Sequence, residues 1–206
     1  MTETTPTVFI VDDDDEVRES LEDLVDSVGL SARTFANAPA FLADYSPEHV
    51  GCLLLDIRMP GMSGLELQQA LRSKGSSLPV IFITGHGDIP MAVEAMRRGA
   101  VDFIEKPYRD QELLDRVNAA VEAGQRRQNE RAEIEAIAQR SATLTPRERE
   151  VMDLIVLGQA NKVIAIDLGL SQRTVEVHRA RVMEKMEVRS LAQLVRAHAR
   201  LEESKP

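Results

Sequence analysis

The sequence predicts an α/β domain, a doubly wound parallel sheet of five β–α units, (βα)5, followed by a smaller all-α domain of four helices. Three observations predict it. Short apolar runs alternate with amphipathic stretches over residues 7–124, the pattern of a parallel sheet covered on both faces. Four of those runs end in polar groups, at Asp12, Asp56, Thr84 and Lys106, and open α/β sheets place their ligands at strand carboxyl ends. From Leu144 onward the pattern is helical, punctuated by Gly158 and Gly169.

In chain order, Val8-Phe-Ile-Val11 is a strand running into Asp12–Asp15. Val17, Leu21, Leu24, Val25 and Val28 then share one helical face, closed by Gly29. Cys52-Leu-Leu-Leu55 is a buried strand ending at Asp56, and Met59-Pro60-Gly61 turns the chain. Val80–Thr84 is a further strand. Ala92, Val93, Ala95 and Met96 form the next amphipathic segment, closed by Gly99. Asp102–Glu105 is a strand leading into Lys106-Pro107. Leu113, Leu114, Val117, Ala120 and Val121 line the helix after it.

Residues 125–142 are polar and free of proline, with a thin apolar stripe at Ile134, Ile137 and Ala138. They read as a helical linker continuing the preceding helix, with Gly124 a weak point. The alternative is a disordered tether. Residues 143–206 form the second domain. Thr145, Pro146 and Glu148 make a capping box with proline at the first helical position. Helices are expected at about 146–157, 161–168, 172–187 and 190–200, the last two capped by Ser171 and Ser190. A helix ending at Gly169, a tight turn and a longer basic helix make a helix-turn-helix pattern.

Charge divides the chain. Residues 1–124 hold 22 acidic and 10 basic residues; residues 125–206 hold 12 and 15. An acidic front and a mildly basic back suggest two domains with different partners, and nucleic acid remains possible because binding follows local charge. The single cysteine, Cys52, lies in a predicted core strand, so no intramolecular disulfide is expected. The polar, acidic start lacks the marks of a signal peptide, and no apolar run reaches the ~20 residues of a membrane span. The chain reads as cytoplasmic.

Asp12, Asp13 and Asp56 gathered at one sheet edge repel one another, and a hard divalent cation such as Mg2+ relieves that repulsion. Asp56 then stays a carboxylate able to attack a phosphoryl group, with Lys106 neutralising developing charge and Thr84 donating its hydroxyl. Asp14, Asp15 and Glu16 read instead as a solvated helix start. His86 reads as a solvent-facing loop residue, and Met59, Met62, Met91 and Met96 as packing residues.

Val11-Asp-Asp13, Leu55-Asp-Ile-Arg-Met-Pro-Gly61, Ile83-Thr84-Gly85 and Glu105-Lys-Pro107 together resemble the receiver domain of two-component response regulators. The resemblance implies that Asp56 takes phosphate from a sensor histidine kinase. It implies that Asp13 binds Mg2+ directly, Asp12 mostly through water, and the Arg58 backbone carbonyl completes the protein ligands. Lys106 and Thr84 take the family's lysine and switch-hydroxyl roles, and Phe103 that of its switch aromatic. Gly85 departs from the commoner alanine.

Leu144–Val151, Asn161-Lys-Val-Ile-Ala165 and Ser171–His178 resemble the LuxR-type helix-turn-helix. The whole chain is thus similar to a FixJ/NarL-type response regulator, nearer the FixJ branch, and residues 172–187 become its recognition helix. That implies Glu176, Val177 and Ala180 facing bases, and Lys162, Arg173, Thr174, His178, Arg179 and Arg181 contacting phosphates or adjacent bases. His178 reads equally as a packing residue. Val163 and Ile164 stand where many relatives carry a glutamate-isoleucine pair.

The expected function is a phosphorylation-activated transcriptional regulator that dimerises through the receiver, binds promoter DNA and meets RNA polymerase. It is not expected to be an enzyme beyond catalysing its own phosphorylation and dephosphorylation. One rival is an aspartate-nucleophile phosphatase, which normally carries Asp-x-Asp; here the second position is Arg58. Another is a receiver-controlled RNA-binding antiterminator. A third is a regulator that ignores phosphorylation.

Overall fold

The computed structural model describes residues 5–85 and 89–203. It divides into two compact units, Met1–Asn129 and Glu130–Pro206.

In the first unit β1 (Thr7–Val11), β2 (Ser31–Phe35), β3 (Gly51–Leu55), β4 (Val80–Thr84) and β5 (Asp102–Glu105) form one parallel sheet in the order β2-β1-β3-β4-β5. Period-2 alternation sorts its side chains. Phe9, Val11, Leu53, Leu55 and Phe82 pack on one face with Phe41 of α2 (Ala38–Asp44), Leu67 and Leu71 of α3 (Gly64–Ser73), and Ala95 of α4 (Ile89–Arg97). Val8, Ile10, Cys52, Leu54, Ile81 and Ile83 pack on the other with Leu21 and Val25 of α1 (Asp15–Asp26), and Leu113 and Val117 of α5 (Asp110–Ala142). Burial on both faces explains why β3 and β4 read as unbroken apolar runs. It also pushes the Cys52 thiol up to about 12, so Cys52 is an inert core residue.

Two apolar readings need correction. Val28 lies beyond the end of α1 and is exposed, because the helix stops at Asp26 with Ser27 as C-cap. Val93 and Met96 are also exposed, while Ala95 of the same helix is buried. His86 lies outside the described residues. Asp14 is the N-cap of α1, accepting from the Glu16 and Val17 amides, so the acidic run after Asp13 serves the helix start as expected.

Gly124 lies inside α5, which continues unbroken to Ala142. It is a packing position, not a weak point. A Cβ there would stand 2.1 Å from the Gly51 carbonyl oxygen and 3.2 Å from Pro79 Cδ. Only a glycine lets the helix lie this close to the start of β3.

In the second unit α6 (Pro146–Val156), α7 (Asn161–Asp167), α8 (Gln172–Lys185) and α9 (Leu191–Glu203) follow. Val151, Ile155, Ile164, Val175, Val182, Met186 and Leu194 form its core, joined by Ile137 from α5. The predicted capping box is present: Glu148 N–H donates to Thr145 Oγ1, and Thr145 N–H donates to Glu148 Oε2 at 2.9 Å. Ser171 and Ser190 cap as expected, receiving the Thr174 and Gln193 amides.

Lys185 Nζ reaches buried Glu148 at 2.6 Å and also donates to the Thr143 carbonyl, tying the end of α8 to the start of α6. The Lys185 ammonium, with the Thr145 amide, holds the Glu148 carboxyl down to about 2. A folded-state pKa below the unfolded value gives stability that is full above about pH 4.5 and fades as pH falls toward about 2. Lys185→Met should therefore lower stability at neutral pH and flatten that acid limb. The Thr145 amide shift, followed by NMR from pH 5 to 2 (roughly the window between the two pKa values), should then titrate at higher pH than in the parent. An unchanged midpoint would show that Lys185 is not what holds Glu148 ionised.

Candidate functional site

The carboxyl ends of the parallel strands converge, and the pocket follows from that topology. Asp56 is the residue after β3. Its N–H donates to the Val11 carbonyl at 2.9 Å, which anchors it beside β1. Its Oδ2 accepts from Arg58 N–H at 2.7 Å, and its side chain is buried. Asp12, after β1, is buried as well, with Oδ1 receiving the Asp14 amide at 3.0 Å. Lys106, after β5, places Nζ 2.9 Å from Asp12 Oδ2 and 3.9 Å from Asp56 Oδ1. Its backbone N–H donates to the carbonyl of Thr84, a residue only 1% exposed at the end of β4. Four strand ends thus bring Asp12, Asp56, Thr84 and Lys106 to one place.

Asp13 differs from its neighbour: it is exposed. Arg58 is exposed too, and Phe103 is half-buried on β5, packed against the core on the α2–α4 side. The peptide bond between Lys106 and Pro107 is cis. Gly64 packs against the backbone that carries Asp56. Its N–H donates to the Ile57 carbonyl, and a Cβ there would stand 2.2 Å from the Asp56 carbonyl oxygen.

Burial pushes the Asp56 carboxyl up, and the Asp12 charge pushes it further. The Arg58 amide and the Lys106 ammonium oppose this, and Asp13 adds a smaller push upward. Among the described residues no three His, Cys, Asp or Glu side chains are gathered as a metal cage. A set of two carboxylates, one backbone carbonyl and water suits Mg2+ better than such a cage. Asp13, Asp56 and the Arg58 carbonyl would offer only hard oxygens, and beyond the effect of burial the Asp12 and Asp13 charges both push the Asp56 carboxyl up, a repulsion that a cation relieves. The residues fit the ion.

Two contributors escape sequence reasoning. Arg18 on α1 donates to the Asp12 carbonyl at 2.7 Å and pairs with Asp15, steadying the Asp12 strand end. Arg116 on α5 grips both oxygens of Asp102 at 2.6 Å, fixing the start of β5. An arginine one helical turn beyond an acid, as with Glu112 and Arg116, is a sequence signal for a pair, but not for the Asp102 contact.

In the second unit, Arg173, Glu176, Val177, Ala180 and Arg181 are exposed on α8, at the i, i+3, i+4, i+7, i+8 positions of one helical face. Lys162 is exposed on α7. Thr174, His178 and Arg179 are half-buried. Thr174 is engaged with Ser171 at 2.8 Å, and Arg179 donates to Asn161 Oδ1 at 3.2 Å, which ties α8 to α7. Among the described residues His178 Nδ1 is buried without a hydrogen-bond partner. The predicted contact residues on α8 therefore split into an outward stripe and a half-buried set, of which Arg179 braces the helix pair.

Residues 8–118 match the family model described as the response regulator receiver domain, and residues 142–198 match that of the luxR family of bacterial regulatory proteins. The transcriptional regulatory protein FixJ of Azorhizobium caulinodans is 50% identical over 192 residues, covering 92% of this chain and 90% of that protein. Nodulation protein W of Bradyrhizobium diazoefficiens is 48% identical over 189 residues, covering 92% and 83%. The solved structure of the response regulator StyR superposes with a TM-score of 0.86 at 46% identity, covering 95% of this chain and 99% of that one. Among the described residues no helix is long and apolar enough to cross a membrane. The chain belongs to the FixJ-type transcriptional response regulators, which join a receiver domain to a LuxR-type helix-turn-helix domain.

Proposed function

We propose that Asp56 is the phosphoacceptor of this regulator, and that its phosphorylation drives homodimerisation and binding of promoter DNA. The observation that carries this is a buried carboxylate at a strand end with a lysine ammonium 3.9 Å away and a second buried carboxylate beside it. An Asp56 oxygen attacks phosphorus on the phosphohistidine of a sensor kinase; the P–N bond breaks and the imidazole keeps the electron pair. Asp13, Asp56 and the Arg58 carbonyl would hold Mg2+, with Asp12 acting through water, and the bound ion would neutralise charge on the phosphoryl oxygens. Lys106 holds a further phosphoryl oxygen, and Thr84 donates its hydroxyl to the product. Phe103 then turns into the space Thr84 vacates.

In this reading residues 1–124 are the receiver, 125–142 the helical linker and 143–206 the DNA-binding domain. The chain works in the cytoplasm, contacts RNA polymerase at the promoter, and turns over no substrate besides its own phosphoryl group. Lys162, Arg173, Thr174, His178, Arg179 and Arg181 meet phosphates or adjacent bases; Glu176, Val177 and Ala180 face base edges in the major groove.

The test is retention of genomic duplex fragments by the full chain with and without acetyl phosphate and Mg2+. Enrichment of paired half-sites about one helical turn apart, only with the phosphodonor, is expected. Enrichment independent of the donor, or preference for RNA, would sink the reading. On an enriched site, Arg181→Ala should weaken binding several-fold on every sequence and lower the salt slope by about 1. Arg179→Ala should also lower the stability of the second unit, because it releases Asn161. Unchanged salt dependence in Arg181→Ala would move the phosphate contact elsewhere.

A further inference from the structure

A cavity of about 320 Å3 opens at the amino-terminal end of β4, the sheet edge opposite the carboxylate pocket. Four arginines line it: Arg72 from α3, Arg97 and Arg98 from the end of α4, and Arg127 from α5. Among the described residues no acidic side chain lines it, although acids outnumber bases 22 to 10 in residues 1–124. Arg98 is paired with Glu94 at 2.7 Å. Arg72 and Arg127 make only long contacts to the Arg98 and Ser77 carbonyls, at 3.4 and 3.5 Å, and among the described residues none of Arg72, Arg97 and Arg127 has a carboxylate partner. Arg72 and Arg97 occupy last turns of helices, where each dipole offsets roughly half a charge. That leaves an excess of positive charge around one hollow.

Gln68 is the second, independent feature. It lines the same cavity and is 4% exposed. Its Nε2 donates to the Ala95 carbonyl at 3.3 Å, while its Oε1 is buried without a hydrogen-bond partner among the described residues. A buried acceptor without a donor is costly, so a turn of the Gln68 amide that offered Oε1 to an N–H or O–H in the cavity would be favourable. The hollow has room for about ten waters, more than a bare phosphate fills.

We propose that this cavity binds a small phosphate ester, its phosphate held by the arginines and a hydroxyl or amino group donated to Gln68 Oε1. Guanidinium forks suit phosphate oxygens, and a cavity of this size matches a small-molecule site. The ligand is of nucleotide or sugar-phosphate type.

The full chain, metal-free with EDTA at about 0.15 M salt, is titrated with ADP, glucose 6-phosphate and inorganic phosphate by calorimetry and amide NMR. Saturable binding of at least one ester is expected, with shifts at Ser76 and Gly99, which line the cavity. Saturation by ADP alone selects nucleotides; saturation by glucose 6-phosphate alone selects sugar phosphates. Arg97→Gln with Arg127→Gln, both at exposed positions, should weaken the ester roughly tenfold. Gln68→Leu should weaken the ester while leaving inorganic phosphate unchanged. Absence of saturable binding by both esters, or binding indifferent to the arginine pair, would overturn the proposal. So would shifts at Ser76 and Gly99 produced by duplex DNA and by neither ester.

Discussion

Asp56→Asn takes no detectable label from acetyl phosphate and Mg2+, a loss of at least about 10^3-fold, because the amide is a far poorer nucleophile than the carboxylate. The variant also folds. Asparagine keeps an oxygen for the Arg58 N–H, which donates at 2.7 Å in the parent. It should in fact be the more stable protein at neutral pH. Burial and the Asp12 charge raise the folded-state pKa of Asp56, so the parent loses stability as pH climbs through the interval above 3.8. Removing the charge removes that loss. Phosphate transfer followed by gel, beside a denaturant midpoint at pH 7, reads both effects. Normal labelling would place the acceptor elsewhere. A lower midpoint with lost labelling would mean that the charge-repulsion account of the pocket is wrong, even though the site is right.

The pocket is legible in the sequence because topology places it. Parallel strands that end in Asp12, Asp56, Thr84 and Lys106 must deliver those groups to one edge, whatever the loops do. The difference between Asp12 and Asp13 is not legible. Adjacent, identical residues end up buried and exposed because only Asp12 continues the inward register of β1 and is fastened by Lys106 and the Asp14 amide. The exposure of Val93 and Met96 is missed for a related reason. A nine-residue helix with six apolar residues fits several faces, and the sequence alone does not choose which one meets the sheet.

In the second unit the capping residues are legible because caps are local. Thr145, Glu148 and Ser171 satisfy amides within three residues of themselves. Contacts between helices are not. The Glu148 carboxylate that completes the capping box also receives Lys185, 37 residues on, and Arg179 turns partly inward to Asn161. Spacing along α8 shows which residues share a face; it does not show that a charged residue beside that face is already engaged by a neighbouring helix.

Gly124→Ala lowers the stability of the first unit by about 2 kcal/mol, against the sign that helix propensity alone dictates. In a solvated helix the change would stabilise by about 1 kcal/mol. Here the added methyl would stand 2.1 Å from the Gly51 carbonyl oxygen, and backbone cannot swing aside as a flexible side chain can. Gly51 itself is confined, since a Cβ there would lie 1.9 Å from the Thr7 carbonyl oxygen, and its φ is +134°. The clash therefore spreads into the β1–β3 pairing, and overpacking of this kind costs about 3 kcal/mol. The chain supplies its own reporter. It has no tryptophan, and both tyrosines, Tyr45 and Tyr108, lie in the first unit. Tyrosine fluorescence in urea thus follows that unit without contribution from the second. Ala119→Gly, at an exposed position of α5, is the control and should cost the ordinary ~1 kcal/mol. Both substitutions then destabilise, although one adds a methyl and the other removes it. A Gly124→Ala midpoint at or above the parent's would show that α5 can stand off from the start of β3 without loss. The glycine would then be what its sequence context first suggests, a weak point in a helix.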